Sequence, residues 1–275
     1  MEESADRHRG SVSTMVADYH VHTRASQDAE GSMEEYARKA KQKKIEEVGF
    51  SDHILLRHVD GRSGFLVRAM PVYVQDFMRF KEKTEIPVKL GIEVDFFPDE
   101  IEKTAAFIRR YPFDYVIGSV HVIGNWAIDE PSTKDEYSRR DPFRTYEKYF
   151  RVVREMCSCR LFDVLGHPDL IKIFGTKPNE DLTAIYEDTA ETIASSQMCA
   201  EINAKGLNRP CREIYPSEQF LKVLYDHDVP ITFGSDAHEP NDLGKNLEEA
   251  VRLAKKVGYT EACRFSYRVK EHVKI

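Results

Sequence analysis

The stretch Met15-Val-Ala-Asp18-Tyr-His20-Val-His22 is a short apolar run that ends in two histidines two residues apart. Alternate residues of a strand share a face, so both imidazoles reach the same side. Alone, such a pair is more often a core or surface feature than a metal grip. The rest of the chain changes that balance. Six more apolar runs follow, at 47–50, 88–94, 115–122, 162–165, 198–202 and 229–233. Several are rich in Val and Ile, as buried parallel strands are. Their ends read Ser51-Asp52-His53, Gly91-Ile-Glu93-Val-Asp95, Gly118-Ser-Val-His121, Gly166-His167-Pro-Asp169 and Gly234-Ser-Asp236-Ala-His238. Each motif taken singly has a bland reading, as a loop or a capped turn. Six of the ten histidines at such ends, with a carboxylate inside one apolar run, do not.

Between the runs lie helical patterns. Ser32-Met-Glu-Glu35 has the form of a capping box opening a helix to about Lys44. Others are expected over 73–84, 99–110, 142–157, 181–195, 217–227 and 246–257, the last closed by Gly258. Seven strand–helix units predict an α/β protein with a parallel sheet. No Gly-x-Gly-x-x-Gly turn is present, which favours closure into a (β/α)7 barrel over an open doubly wound sheet. All the polar run ends are then C-terminal strand ends, where barrel enzymes carry their chemistry. Segments 55–71 and 123–141 are long for βα connections and are expected to cover the site.

With 275 residues, one domain over 1–275 is expected, with 1–14 a flexible lead-in. A hydrophobic fraction of 41% and a charged fraction of 32% are those of a globular protein. A net charge of −7 argues against reliance on nucleic acid or anionic membranes as partners. No apolar run is long enough to span a bilayer and no secretory signal is visible, so a cytoplasmic setting is expected. The five cysteines, at 157, 159, 199, 211 and 263, contain no Cys-x-x-Cys, which argues against a disulfide framework or a thiolate zinc module.

Six imidazoles and several carboxylates exceed the needs of one ion. Two or three divalent ions sharing bridging carboxylates fit, and ligands without thiolate suit Zn, Mn or Fe. Clustered ions of this kind generate hydroxide near neutral pH and clamp an in-line displacement at phosphorus, so the expected substrate is a small phosphate ester.

As an ordered set from Asp18 to His238, these motifs resemble the polymerase-and-histidinol-phosphatase (PHP) superfamily. The resemblance implies a distorted seven-stranded TIM-like barrel with a trinuclear metal centre. Thr23-Arg-Ala-Ser-Gln-Asp28, Glu201-Ile-Asn203-Ala-Lys-Gly-Leu-Asn-Arg209 and Glu213-Ile-Tyr-Pro-Ser217 are similar to stand-alone histidinol-phosphatases. Those enzymes hydrolyse L-histidinol phosphate to L-histidinol and phosphate in histidine biosynthesis. By that resemblance, His20, His22, Glu93 and Asp236 hold a first ion. Glu93 bridges to a second on His121 and His167, and a third rests on His53, His238 and Asp28. Some relatives carry His at the position of Asp28, and a carboxylate is still a competent ligand. Asp18 and Asp52 are expected to orient imidazoles from behind. Glu93, Asp236 and Arg209 are the expected catalytic groups. Lys205, Arg209 and Arg212 are the candidates to bind the phosphoryl oxygens, arginine for its planar fork. Arg57, His58, Arg62 and Arg68 lie in a loop expected to meet substrate. Trp126 is either a pocket wall or core, and His8, His227 and His272 are expected to be structural or solvent-facing.

Three other readings share parts of the pattern. Another phosphoesterase, nucleotide-directed, would need a basic track along the site mouth. A non-catalytic relative would have lost ligands. An amidohydrolase barrel shares His-x-His but depends on a lysine between its metals.

Overall fold

The computed structural model describes residues 17–57, 59 and 64–275. The expected lead-in, His8, His58 and Arg62 lie outside the described residues. The chain begins with β1 (Ala17–Val21) and α1 (Met33–Lys43), followed by β2 (Glu47–Phe50), β3 (His53–Leu55) and β4 (Phe65–Leu66). Then come α2 (Met70–Lys81), β5 (Val88–Leu90), β6 (Glu93–Asp95), α3 (Ile101–Ile108) and β7 (Ile117–Ser119). A small hairpin of β8 (Val122–Ile123) and β9 (Trp126–Ala127) leads to α4 (Pro142–Ser158) and β10 (Val164–Leu165). The last units are α5 (Thr183–Ser196), β11 (Cys199–Asn203), α6 (Glu218–Asp226), β12 (Ile231–Gly234) and α7 (Leu247–Val257). β13 (Glu261–Ser266) and β14 (Val269–Lys274) end the chain.

The helices form where sequence chemistry starts and stops them. Ser32 Oγ accepts from Glu35 N while the Glu35 carboxylate accepts from Ser32 N, at 3.4 and 2.7 Å, which satisfies two free N–H groups at the start of α1. Asp141 caps α4 ahead of Pro142, and Gly258 at φ 130° ends α7.

The strands pair in parallel. One sheet runs β1-β2-β5, and another runs β12-β11-β10-β7-β6-β3-β4. β3 follows β2 after two residues and β6 follows β5 after two, with one member of each pair in each sheet, so the two sheets are joined through these segments. The last strand returns to the first, where His22 N donates to Ala237 O at 2.9 Å and Ala237 N to His20 O at 3.3 Å. The result is the distorted (β/α)7 barrel, with the helices outside.

The lower end of the barrel is filled by aromatic rings. Tyr115 lies inside and donates to Tyr19 O at 2.7 Å. Gly49 and Gly91 make room for it, because a Cβ on either would come within 2.2 Å of the Tyr115 side chain. The C-terminal β13–β14 hairpin closes this end. Phe265 packs at 5.6 Å from the Tyr19 ring and 5.7 Å from the Tyr115 ring. Arg268 Nη2 donates to Leu161 O at 2.7 Å, and Arg268 N to Asp114 O at 2.9 Å. The alternation is hidden in sequence because only Ala262, Cys263 and Phe265 turn inward as well-buried residues, and the outer strand β14 is polar.

Phe265→Ala is expected to lower stability by about 3–5 kcal/mol, the usual cost of removing a buried aromatic ring. Urea unfolding followed by circular dichroism measures it. A change below about 1 kcal/mol would mean that the hairpin does not hold the barrel end closed.

Candidate metal centre

Five of the six run-end histidines converge at one end of the barrel on the carboxylate of Glu93, which is 1% exposed. β6 places it one strand from β3, where His53 is its register partner. Glu93 Oε2 lies 2.9 Å from His53 Nδ1, 3.1 Å from His20 Nε2 and 3.5 Å from His22 Nε2. Glu93 Oε1 lies 3.1 Å from His167 Nε2 and 3.6 Å from His121 Nε2, and accepts from Ser119 Oγ at 2.6 Å. One carboxylate thus faces five imidazoles from four run ends.

Asp236 lies 3.6 Å from His22 Nε2 and 3.4 Å from His238 Nδ1. Asp28 Oδ2 is 3.8 Å from His53 Nε2 and 3.7 Å from His238 Nε2. Among the described residues, ligand atoms within 4.8 Å of one another form three groups: His20–His22–Asp236, His20–Glu93–His167 and His22–His53–His238. All nine expected ligand residues are therefore in one place. The expected partition differs in detail, since His20 and His22 each belong to two groups and His121 reaches Glu93 at the edge of its group.

The electrostatics fit a cation. Burial alone would raise the pKa of Glu93, but His20 and His53 outweigh it and hold the carboxyl well below its ordinary range. Burial likewise opposes Asp236, and Lys205 and His20 overcome it. Burial, then His53 and His238, push His22 well below the usual imidazole range. His22 is therefore neutral, and its buried Nε2 has no hydrogen-bond partner. Burial would lower His20 too, yet Glu201 and Glu93 hold it well above its ordinary value. Ionised carboxylates turned toward the neutral imidazole of His22 are in the state that ligates divalent ions, and a bound ion takes the place of the proton that His20 otherwise holds. Backbone strain is placed here as well. His167 at φ 24° and Asp236 at φ 54° occupy left-handed conformations, each costing about 1–2 kcal/mol.

Comparison with known proteins agrees with this geometry. The sequence pattern of the PHP domain matches residues 18–205. The chain belongs to the PHP domain family. A probable histidinol-phosphatase of Deinococcus radiodurans is 30% identical over 248 residues, covering 89% of this chain and 95% of that protein. The histidinol-phosphatase of Lactococcus lactis is 27% identical over 262 residues, covering 90% and 94%. Among solved structures, histidinol phosphate phosphatase from Lactococcus lactis, complexed with zinc, L-histidinol and phosphate, shares the fold. Its TM-score is 0.78 at 24% identity, over 94% of this chain and 99% of that one.

Around the PHP centre, the supporting carboxylates differ from expectation. Asp18 and Asp52 do not touch imidazoles through their side chains. Asp18 accepts from Ser235 N and Oγ at 2.9 and 2.5 Å and from Gly244 N at 2.9 Å, tying β1 to the loop after β12. Asp52 accepts from Thr23 N, Thr23 Oγ1, Ser26 Oγ and Tyr73 OH at 2.5–2.9 Å. Ser26 Oγ then accepts from His53 N at 2.9 Å and sits 3.3 Å from His22 Nδ1, so Asp52 acts one residue removed. The carboxylates that do meet imidazoles are Glu201, 2.6 Å from His20 Nδ1, and Asp95, 2.5 Å from His121 Nδ1. Sequence reading assigned neither a role. The signal was present for Glu201: it lies inside an apolar run, as Glu93 does.

A cavity of about 280 Å³ opens over the centre. Lys205 and Arg209 line it with Asp28, Asp129, Glu130, Phe174 and Tyr215. Lys205 Nζ is 2.8 Å from Asp236 Oδ1 and 2.8 Å from His238 Nδ1. Arg212 is exposed, at φ 52°, and does not line the cavity. Its backbone turns it away because the chain reverses between Arg209 and Tyr215 to pair with Asn203. Asp169 holds that reversal in place by accepting from Lys172 Nζ at 2.7 Å and Ser217 N at 2.8 Å. Of the long segments, 123–141 borders the cavity through Asp129, Glu130 and Pro131, whereas no described residue of 55–71 does. Arg57 pairs with Asp99 at 3.0 Å and Arg68 is exposed. Trp126 is buried, edge-on to Tyr137 at 4.7 Å, and belongs to the core. His227 and His272 stand near Glu187 and Glu261, remote in sequence from the run ends.

Asp52→Ala leaves buried donors of Thr23, Ser26 and Tyr73 unpaired and is expected to cost at least about 2 kcal/mol. Tyr73→Phe removes one of these bonds and is expected to cost about 1 kcal/mol. Denaturant midpoints of the two variants check the order, and equal costs would exclude Asp52 as the hub of this loop.

Proposed function

We infer that this protein is a metal-dependent phosphomonoesterase that hydrolyses L-histidinol phosphate to L-histidinol and phosphate, a step of histidine biosynthesis. The observation that carries the reading is the cluster of nine His, Glu and Asp side chains centred on Glu93 beneath a cavity with a cationic edge. Relatives matched over nearly their whole length bear the name histidinol-phosphatase, which supports the substrate. The reading takes the chain as one PHP-type domain working in the cytoplasm on a small molecule, with no nucleic-acid or membrane partner. No described helix is long and apolar enough to cross a membrane.

The proposed ligands are His20, His22, Asp28, His53, Glu93, His121, His167, Asp236 and His238, for two or three ions of Zn, Mn or Fe. Such ions, when bound, supply Lewis-acid charge and make water a nucleophile near neutral pH. The chain's own groups do the rest. Glu93 and Asp236 keep their charge in a buried setting and so hold cations in register. Lys205 brings a positive charge beside Asp236 and His238, where phosphoryl oxygens gather negative charge during displacement. Arg209, at the cavity edge, offers a planar fork to two of those oxygens. Arg212 has no such part. Other residues of the lining suit the rest of the substrate: Asp129 and Glu130 complement a protonated amine, and Phe174 and Tyr215 present ring surface to an imidazole.

The test is phosphate release from L-histidinol phosphate beside sugar phosphates and nucleotides, with added Mn or Zn and again after chelation. Fast, chelator-sensitive release from L-histidinol phosphate alone is expected. Release chiefly from nucleotides would keep the centre and replace the substrate, and no release with metal bound would end the enzymatic reading.

Arg209→Ala is expected to raise KM or lower kcat, together at least about tenfold in kcat/KM, with metal content unchanged, while Arg212→Ala stays near wild type. Equal kinetics for the two variants would remove Arg209 from the phosphate site.

A further inference from the structure

Glu201 lies on β11, is 1% exposed, and makes three contacts of hydrogen-bond length that, with one more through Asn203, join three run ends. Oε1 is 2.6 Å from His20 Nδ1. Oε2 accepts from His167 N at 2.7 Å and from Asn203 Nδ2 at 3.2 Å. Asn203 Nδ2 also reaches Asp236 Oδ2 at 3.2 Å. Thus His20, the backbone of His167 and, through Asn203, Asp236 all register against one side chain. Gly234 makes the space. A Cβ there would lie 2.0 Å from Glu201 Oε1 and 2.5 Å from His20 Cβ.

We propose that Glu201 is a positioning residue that fixes the tautomer of His20 and selectively supports the two ion positions that depend on it. An ionised carboxylate only accepts hydrogen bonds. His20 must therefore carry its proton on Nδ1, which leaves the Nε2 lone pair facing Glu93 and free to ligate. This is the carboxylate–histidine–metal arrangement, in which the outer partner fixes ring orientation and strengthens the ligand. His20 belongs to the groups His20–His22–Asp236 and His20–Glu93–His167, and not to His22–His53–His238. The support is accordingly unequal across the centre. The inference rests on the metal-centre reading given above and adds to it a residue that holds no ion itself.

Glu201→Gln tests it with little change in size. The Gln oxygen can satisfy His167 N and Asn203 Nδ2, which turns the amide N–H₂ toward His20 Nδ1. Nδ1 must then accept, the proton moves to Nε2, and Nε2 can no longer ligate. Zinc retained per chain is measured after dialysis against a graded chelator series, and the protonation of the two His20 ring nitrogens is read by ¹⁵N NMR on the zinc-treated protein. Wild type is expected to hold zinc with the Nδ1–H form. The variant is expected to show the Nε2–H form and to lose zinc from the His20-dependent positions at about 10- to 100-fold lower chelator, while the His22–His53–His238 position keeps its ion. Gly234→Ala displaces the same carboxylate sterically and is expected to give the same partial loss, so the test survives if Glu201→Gln fails to fold. Wild-type zinc retention and tautomer in both variants would overturn the proposal. Uniform loss of all zinc at one chelator concentration would overturn its selectivity. A wild type that binds no zinc would instead overturn the metal-centre reading, and the proposal with it.

Discussion

A carboxylate buried without compensation costs several kcal/mol, and the upper half of this barrel is arranged around one. Glu93 lies at the centre of the strand ends, with five imidazoles within 3.6 Å of its oxygens. Neutral imidazoles alone do not settle that charge, and a proton can serve only one or two of them. Divalent cations satisfy the carboxylates and the imidazole lone pairs together. The orphaned Nε2 of His22 and the opposed pKa displacements of His20 and His22 have the same origin: one site with more ligands than protons.

That concentration of ligands is held by two different kinds of support. At the lower end the barrel is ordinary hydrophobic architecture. Tyr19, Tyr115 and Phe265 fill it, and the C-terminal hairpin closes it. At the upper end packing gives way to hydrogen-bonded carboxylates. Asp18 ties the first strand to the last loop, Asp52 gathers the loop after β1, and Asp169 fixes the loop that carries Arg209. Each of these acids is buried and bonded to donors rather than to metal-facing nitrogens. The strained backbones of His167 and Asp236 are sustained by this scaffold, since each costs energy that local sequence does not return.

The substrate side is built less rigidly. Lys205 is half-buried against Asp236 and His238, whereas Arg209 is exposed at the edge. A lysine already engaged with the centre adds local positive charge, and an exposed guanidinium at the mouth fits the phosphate contact proposed for it. Acidic and aromatic side chains share the lining with these cations, which suits the zwitterionic phosphate ester of the proposed function.

Much of this was legible in the chain itself. Hydrophobic periodicity located the seven helices within a few residues, because capping and amphipathic spacing are local. The run-end histidines named the centre, since a parallel barrel puts every strand's C-terminal end on one face whatever the details of packing. What only the tertiary structure decided is which polar groups meet across strands. Arg212 and Arg209 are indistinguishable in sequence, and a chain reversal separates them. Asp18 looked like an imidazole partner and instead binds backbone from residues more than two hundred positions away. Glu201, whose place in an apolar run marks burial but not its partners, proves to join three run ends. The C-terminal hairpin is not among the apolar runs because one of its strands faces water. Local sequence fixes the period and the ends of an element. The partner of a side chain depends on register between strands distant in sequence, and no local pattern carries that information.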